Sequence, residues 1–301
     1  LGASGFIGMH LCKKLVDENL NILALIRSKS SKEARKLLRM GIQIIEIGDL
    51  FEKKIFNIDF SRAKYLINLA ALAHVNSKSF KKNLSRSYNI NNIEDNIIRN
   101  FKNKNLNILH ISSAKVSERI ENNQTDYATA KKRSESIIRK YYKKHIILRP
   151  PLVYGPNVKA NFLILMRAIY NNFPLPFKRQ SEKRSYMYIG NLIDAILLIL
   201  KNNHFIGKTY EISDNCLITN EKLANFIAYG LGKKVKLFYV NPKIINLLLI
   251  IIGKRELFNK MMREFVVNNK DFITDTGWTP PYHYREGIKK TCLWYKRTFR
   301  M

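Results

Sequence analysis

Gly2, Gly5 and Gly8 stand three apart at the head of the chain and run directly into a helical apolar pattern. A Gly-x-x-Gly-x-x-Gly turn opening a helix brings backbone N–H groups and a helix N-terminus to one point, which suits a pyrophosphate. Such a turn leaves the C-terminal end of a buried strand, and only Leu1 stands before it. The first strand is therefore expected to be missing from this chain, as in a fragment or a truncated gene product. Its absence would leave unpaired backbone beside the turn. A lone glycine triplet matches many loops, so its weight depends on the rest of the sequence.

The first half of the chain alternates in the manner of a parallel sheet covered by helices. A helix near Ile7–Asn19 leads to a strand at Ile22–Ile26, and a second helix leads to Ile42–Ile47. Tyr65–Ala70, a polar helix around Tyr88–Lys102, the strand Ile108–Ile111, a helix from about Tyr127 and the strand His145–Leu148 come next. After Tyr154-Gly155-Pro156 the rhythm changes: Asn161–Asn171 and Leu192–Lys201 look helical and Thr209–Ile212 looks like a strand. The expected fold is α/β, a Rossmann-type doubly wound parallel sheet with a smaller C-terminal substrate-binding region. Residues 1–155 would form the dinucleotide-binding domain, with 183–215 returning to it, and 156–301 would form mainly the substrate region.

A formal charge of +30 invites a nucleic-acid reading. The Lys and Arg residues are instead spread among Ile and Asn, with no dense basic tail and no Arg stripe interleaved with aromatics. No nucleic-acid partner is expected; the positive field would attract an anionic small molecule. Cys12, Cys216 and Cys292 are odd in number and lack metal-ligand spacing, so they are expected to be free thiols of a reducing cytoplasm, with no metal bound. The most apolar run, Ile244 to Ile252, is too short to span a bilayer, which takes about 20 apolar residues.

Tyr127 and Lys131 form Tyr-x-x-x-Lys, and residues four apart share a helix face. A free Tyr ionises near pH 10, about three units too high for an efficient base at neutrality. An adjacent ammonium, together with a positive nicotinamide ring, would pull it down. Ser113 closes the preceding strand and would hydrogen-bond the substrate oxygen that Tyr127 protonates or deprotonates. The same spacing recurs at Tyr229/Lys233 and Tyr239/Lys243, but Gly230 and Gly232 interrupt one and Pro242 the other. Only Tyr127 comes after a glycine turn and a strand-terminal Ser-Ser in the expected order.

Taken in order, several segments resemble the extended short-chain dehydrogenase/reductases of the NAD-dependent epimerase/dehydratase family, over nearly the whole chain. They are Gly2-Ala3-Ser4-Gly5-Phe6-Ile7-Gly8, Asn68-Leu69-Ala70-Ala71, Ile111-Ser112-Ser113, Tyr127-x-x-x-Lys131 and Arg149-Pro150-Pro151-Leu152-Val153-Tyr154-Gly155-Pro156, with Lys183-Arg184-Ser185-Tyr186 and Gly277-Trp278-Thr279-Pro280 after them. The resemblance is nearest to a bacterial subgroup of UDP-glucose 4-epimerase-like proteins and 4-keto reductases that make UDP-linked N-acetylated deoxysugars for surface polysaccharide.

That resemblance implies a cytoplasmic enzyme acting at C4 of a UDP-hexose or UDP-hexosamine. A 4-keto reductase is expected first, a 4-epimerase using the same Ser113, Tyr127 and Lys131 second, and a truncated, non-catalytic nucleotide-binding homologue third. It implies that Gly2, Ser4, Gly5, Phe6, Ile7 and Gly8 cradle the cofactor. Asp49 and Leu50 would hold the adenine, and Leu69, Ala70 and Ala71 would border the ribose and phosphates. Asn89, Ile111, Ser112, Tyr127, Lys131 and Pro150 would complete the cofactor contacts. Asn161 and Arg184 would hold the diphosphate of a UDP-sugar, a role a guanidinium fork suits. The family also implies a homodimer through the helices near 88–102 and 127–142. Relatives that prefer NAD carry an acid where Arg27 stands, so Arg27 favours NADP(H), with NAD(H) possible. Leu152 and Ala73 stand where many epimerases carry Asn and Lys, and Ala114-Lys115 replace the acidic pair of the 4,6-dehydratases.

Overall fold

The computed structural model describes residues 1–48, 58–70, 100–101, 106–117, 126–202, 205–241 and 263–299. The chain divides into two compact units, Leu1–Pro150 with Ile193–Ile212, and Pro151–Leu192 with Ser213–Met301. The helix expected at 88–102 and the apolar run 244–252 lie largely or wholly outside the described residues. Among the described residues no helix is long and apolar enough to cross a membrane.

The first unit is α/β, as expected. It contains α1 (Phe6–Asp17), β1 (Leu23–Ile26), α2 (Lys32–Arg39), β2 (Gln43–Glu46), β3 (Tyr65–Asn68), β4 (Asn107–Ile111), α3 (Asp126–Tyr141) and β5 (His145–Arg149). A short 3-10 turn, Ala114–Val116, lies between β4 and α3. β4 and β5 are near-continuous apolar runs because a central parallel strand is covered on both faces. Ile108, Leu109, Ile146, Ile147 and Leu148 are accordingly inaccessible to water. The strands pair in parallel in the order β3-β4-β5-β8, where β8 is Thr209–Glu211. The register sets Asn68 opposite His110, Leu109 opposite Ile146 and Leu148 opposite Tyr210.

β1 and β2 form a separate parallel pair. The Leu1 nitrogen donates to the Ile67 carbonyl at 2.8 Å, and the Leu1 carbonyl accepts from the Leu69 N–H at 3.1 Å. Leu1 thus extends the ladder alongside β3 by one residue, and its side chain packs in one core cluster with Leu25 and Leu66. All three cysteines are free thiols; burial pushes Cys12 up to about 11 and Cys292 up to about 12, so both are protonated at neutral pH.

The second unit carries β6 (Leu152–Tyr154) parallel to β7 (Lys183–Tyr188), which pairs antiparallel with β9 (Leu217–Thr219). Its helices are α4 (Ala160–Tyr170), α6 (Asn220–Leu231), α7 (Lys270–Thr276) and α8 (Tyr284–Thr298); α5 (Ile189–Lys201) starts here and runs into the sequence of the first unit. Of the stretch 183–215, Ile193–Ile212 therefore falls in the first unit and β7 in the second. The Thr219 hydroxyl accepts from the Lys222 N–H and starts α6, and Gly232 ends it in a left-handed conformation.

The organising polar group of the second unit is the buried Asp214. Its carboxylate accepts from the Tyr188 N–H at 2.9 Å and from the Asn191 amide at 2.7 Å. Asn191 also donates to the Tyr282 carbonyl and accepts from the Tyr282 N–H, each at 2.9 Å. Around them Tyr154 stacks on Phe162 and touches Tyr186 and Tyr188.

Burial raises the Asp214 carboxyl from 3.8 to about 6, against the opposing pull of the hydrogen bonds from Asn191 and Tyr188. The folded state therefore holds this proton more tightly than the unfolded chain. The stabilisation is complete below about pH 4 and is lost as pH rises through 6. Between pH 5 and pH 7.5 the wild type should lose on the order of 1 kcal/mol relative to Asp214→Asn, measured by urea unfolding at both pH values. A difference that stays flat across that range would contradict this assignment.

Candidate active site

The glycine turn is held by steric necessity. Gly2 adopts a φ of +79°, and a Cβ on it would lie 3.0 Å from the Leu69 carbonyl carbon and the Ala70 nitrogen. A Cβ on Gly8 would come within 2.3 Å of the Gly2 carbonyl oxygen, closer than atoms can approach. These two glycines let α1 pack against its own entry turn and let that turn lie on the end of β3. Gly5 occupies the N-cap of α1 and brings no side-chain oxygen to the first-turn N–H groups. Ser4, Phe6 and Ile7 are partly exposed around them. An uncapped helix N-terminus behind a glycine turn fits the phosphates of a dinucleotide.

Arg27 comes directly after β1 and is exposed. Beyond it the Ser28 and Ser30 hydroxyls lie 2.8 Å apart, and the Lys29 N–H donates to Glu46 at 2.8 Å. Ser31 caps α2 by accepting from the Ala34 N–H. Asp49, Leu50, Ala71 and Asn89 lie outside the described residues.

Ser113, Tyr127 and Lys131 come together. Ser113 follows β4 and caps the 3-10 turn, its hydroxyl accepting from the Lys115 N–H at 3.3 Å; the same hydroxyl is close enough to the Tyr127 phenol to oppose the effect of its burial. Lys131, one turn after Tyr127 on α3, is buried and donates to the Ile111 carbonyl at 2.8 Å. Burial pushes Tyr127 above its ordinary value, and the Ser113 hydroxyl only partly opposes it. The Lys131 ammonium spends a donor on a strand-end carbonyl and fixes the helix to β4. The Pro150 carbonyl accepts from the Ala114 N–H at 2.9 Å, which joins the Ser113 turn to the end of β5.

Two buried networks behind this cluster are not anticipated by the sequence reading. In the first, Asn68 accepts from the Ala70 N–H at 3.1 Å and bonds His110 Nδ1 at 3.1 Å; His110 Nε2 reaches Ser134 at 3.4 Å. Burial, with the charges of Lys131 and Arg139, drives His110 well below its usual range, so the imidazole is neutral. The second is centred on Glu135, whose side chain has no exposure. It takes a two-pronged bond from Arg149, at 2.8 Å from Nε and 2.6 Å from Nη2, and a bond from Arg139 at 2.8 Å. Burial alone would raise this carboxyl, but the Arg149 bonds and the two guanidinium charges hold it below its ordinary value. The available signal is spacing: Tyr127, Lys131 and Glu135 recur every four residues, one stripe of a helix.

The residues expected at a sugar diphosphate belong to the second unit. Asn161 lies exposed in the first turn of α4, whose N-cap is Lys159, so it is not the cap residue. Arg184 on β7 donates to the Arg263 carbonyl and stacks over the Phe265 ring.

Comparison with known proteins places these features in a family. The NAD dependent epimerase/dehydratase family matches residues 1–213. A UDP-glucose 4-epimerase of Vibrio cholerae is 25% identical, covering 96% of this chain and 92% of its own. Among solved structures, the UDP-glucose 4-epimerase of Thermotoga maritima with UDP-glucose superposes with a TM-score of 0.72 at 19% identity, covering 99% of this chain and 98% of that one. The UDP-glucuronic acid 4-epimerase of Bacillus cereus in complex with NAD gives a TM-score of 0.72 at 18% identity, with the same coverage of 99% and 98%. The parallel sheet, the glycine turn and the match over more than half its length show that this chain belongs to the NAD dependent epimerase/dehydratase family.

Proposed function

We propose that this protein is an NAD(P)-dependent oxidoreductase acting at C4 of a UDP-hexose or UDP-hexosamine, working as a 4-keto reductase in sugar biosynthesis for surface polysaccharide. The observation that carries the reading is the meeting of Ser113, Tyr127 and Lys131 in the unit that holds the glycine turn. A nicotinamide dinucleotide with its phosphates on that turn would supply the hydride. Tyr127 gives its proton to the C4 oxygen as that oxygen gains electron density, and Ser113 holds the same oxygen by a hydrogen bond. Burial suits Tyr127 to this direction, because a phenol kept protonated at neutral pH is ready to act as an acid. Lys131 keeps α3 seated on β4. Asn161 and Arg184 are proposed to hold the UDP-sugar diphosphate, and the second unit is proposed as the substrate-binding region.

A second reading, C4 epimerisation, is favoured by the relatives named UDP-glucose 4-epimerase. The same three side chains would then first remove and later return the proton. Mixing the protein with NADPH and a UDP-4-keto-6-deoxyhexosamine separates the two. A reductase consumes the reduced cofactor stoichiometrically, whereas an epimerase interconverts C4 epimers with no net consumption. Neither outcome from an enzyme that binds cofactor would sink both readings.

Tyr127→Phe should lower turnover by roughly 10²–10⁴-fold while leaving cofactor affinity within about twofold, measured by steady-state kinetics and fluorescence titration. Unchanged turnover would remove the phenol from the chemistry. Arg27 is proposed to contact the 2′-phosphate of NADP(H). Arg27→Glu should then shift the NADPH-to-NADH preference by about tenfold or more toward NADH, through loss of a charge-assisted phosphate contact. Equal affinities before and after substitution would mean that Arg27 faces solvent only.

A further inference from the structure

Ser113 and Tyr127 stand on two elements from different parts of the chain, a turn after β4 and the helix Asp126–Tyr141. Something must fix their spacing, and one guanidinium touches both. Arg149 commits Nε and Nη2 to the Glu135 carboxylate on α3. Its remaining nitrogen, Nη1, donates to the Ser117 hydroxyl at 3.0 Å. Ser117 closes the 3-10 turn that Ser113 opens: the Ser117 N–H bonds the Ala114 carbonyl, and the Val116 N–H bonds the Ser113 carbonyl. A guanidinium is planar and rigid, so its two ends cannot move independently. On α3, Glu135 lies about 12 Å along the axis from Tyr127, at 1.5 Å per residue, with Lys131 pinned to Ile111 between them.

We infer that Arg149, seated on Glu135, is a positioning residue that holds the Ser113 turn and the Tyr127 helix in the register that sets their two hydroxyls beside each other. It touches neither substrate nor cofactor in this role and acts through Ser113 and Tyr127. Lys115 on the turn, whose ammonium lies 5.9 Å from the Tyr127 ring, and Lys131 on α3 are not themselves altered by changes at Ser117 or Arg149. The inference rests on the functional reading above, and its test is chosen so that each can fail alone.

The sparing variant is Ser117→Ala, because Ser117 is exposed and its loss removes only the turn-side arm. In the full chain labelled with carbon-13 at tyrosine Cζ, Tyr127→Phe identifies the Tyr127 resonance. Ser117→Ala and Arg149→Lys should both move that resonance toward its position in Ser113→Ala. In kinetics, Ser117→Ala should lower kcat by roughly three- to tenfold with KM and cofactor affinity unchanged. The pH limb set by the phenol should move upward, because the Ser113 hydroxyl that opposes burial is displaced. On a Ser113→Ala background, Ser117→Ala should cost nothing further. A Tyr127 resonance left at its wild-type position in both variants would overturn the inference, as would an undiminished second loss on the Ser113→Ala background. Absence of wild-type turnover on keto or hydroxyl UDP-sugars would instead refute the functional reading, and the resonance would still decide the positioning.

Discussion

A carboxylate without access to water has to be neutralised where it sits, and the arrangement of the first unit depends on how Glu135 meets that demand. Leaving such a charge unpaired in the interior costs several kcal/mol. The Arg149 fork and the Arg139 contact satisfy both oxygens. Since Glu135 belongs to α3 and Arg149 ends β5, the pair fixes a helix to the C-terminal edge of the sheet. Arg139 continues to Thr209 on β8, so the same carboxylate reaches a second strand of that sheet. Polar groups inside a parallel sheet are few, and each of those described joins different elements rather than capping its own.

The electrostatics of the cluster are a consequence of this seating. Lys131 lies beneath the helix, bound to a strand-end carbonyl, so its charge serves first to fix α3. The phenol above it is governed by desolvation, with a single hydroxyl in opposition. His110, crowded by two cations and cut off from water, remains an uncharged link between β3 and α3. Before any ligand adds its own field, burial keeps the phenol protonated.

Much of this is legible in the residues. The strands of the first unit fall within one or two positions of their expected places because β4 and β5 are apolar runs bounded by polar turns, and parallel burial leaves that mark; β6 and β9 of the second unit are too short to stand out. Ser113, Tyr127 and Lys131 stand out by their order along the chain, and the structure brings them together. Spacing puts a lysine beside a tyrosine without saying where its ammonium donates, and in the ligand-free protein burial sets the direction of the phenol's shift. The Asn68–His110–Ser134 chain is invisible in the sequence, because strand register pairs residues that lie 42 positions apart. Glu135 lies in plain sight on the Tyr127 stripe, but a glutamate on a polar helix looks solvated until its arginines are known. Asp49, Leu50, Ala71 and Asn89 fall outside the described residues.

The amide of Asn191 gives Tyr282 both a donor and an acceptor, as a neighbouring strand would. A single side chain thereby imitates one rung of a β-ladder between residues 91 positions apart. It also closes a long excursion of chain, and the entropy lost in closing such a loop rises only slowly with its length. The terminal helix α8, which begins two residues after Tyr282, is thus stapled at its entrance without any covalent bond. Its fraying should be confined to its free end, and separation of its start from the second unit would require the Asp214 hub to come apart as well.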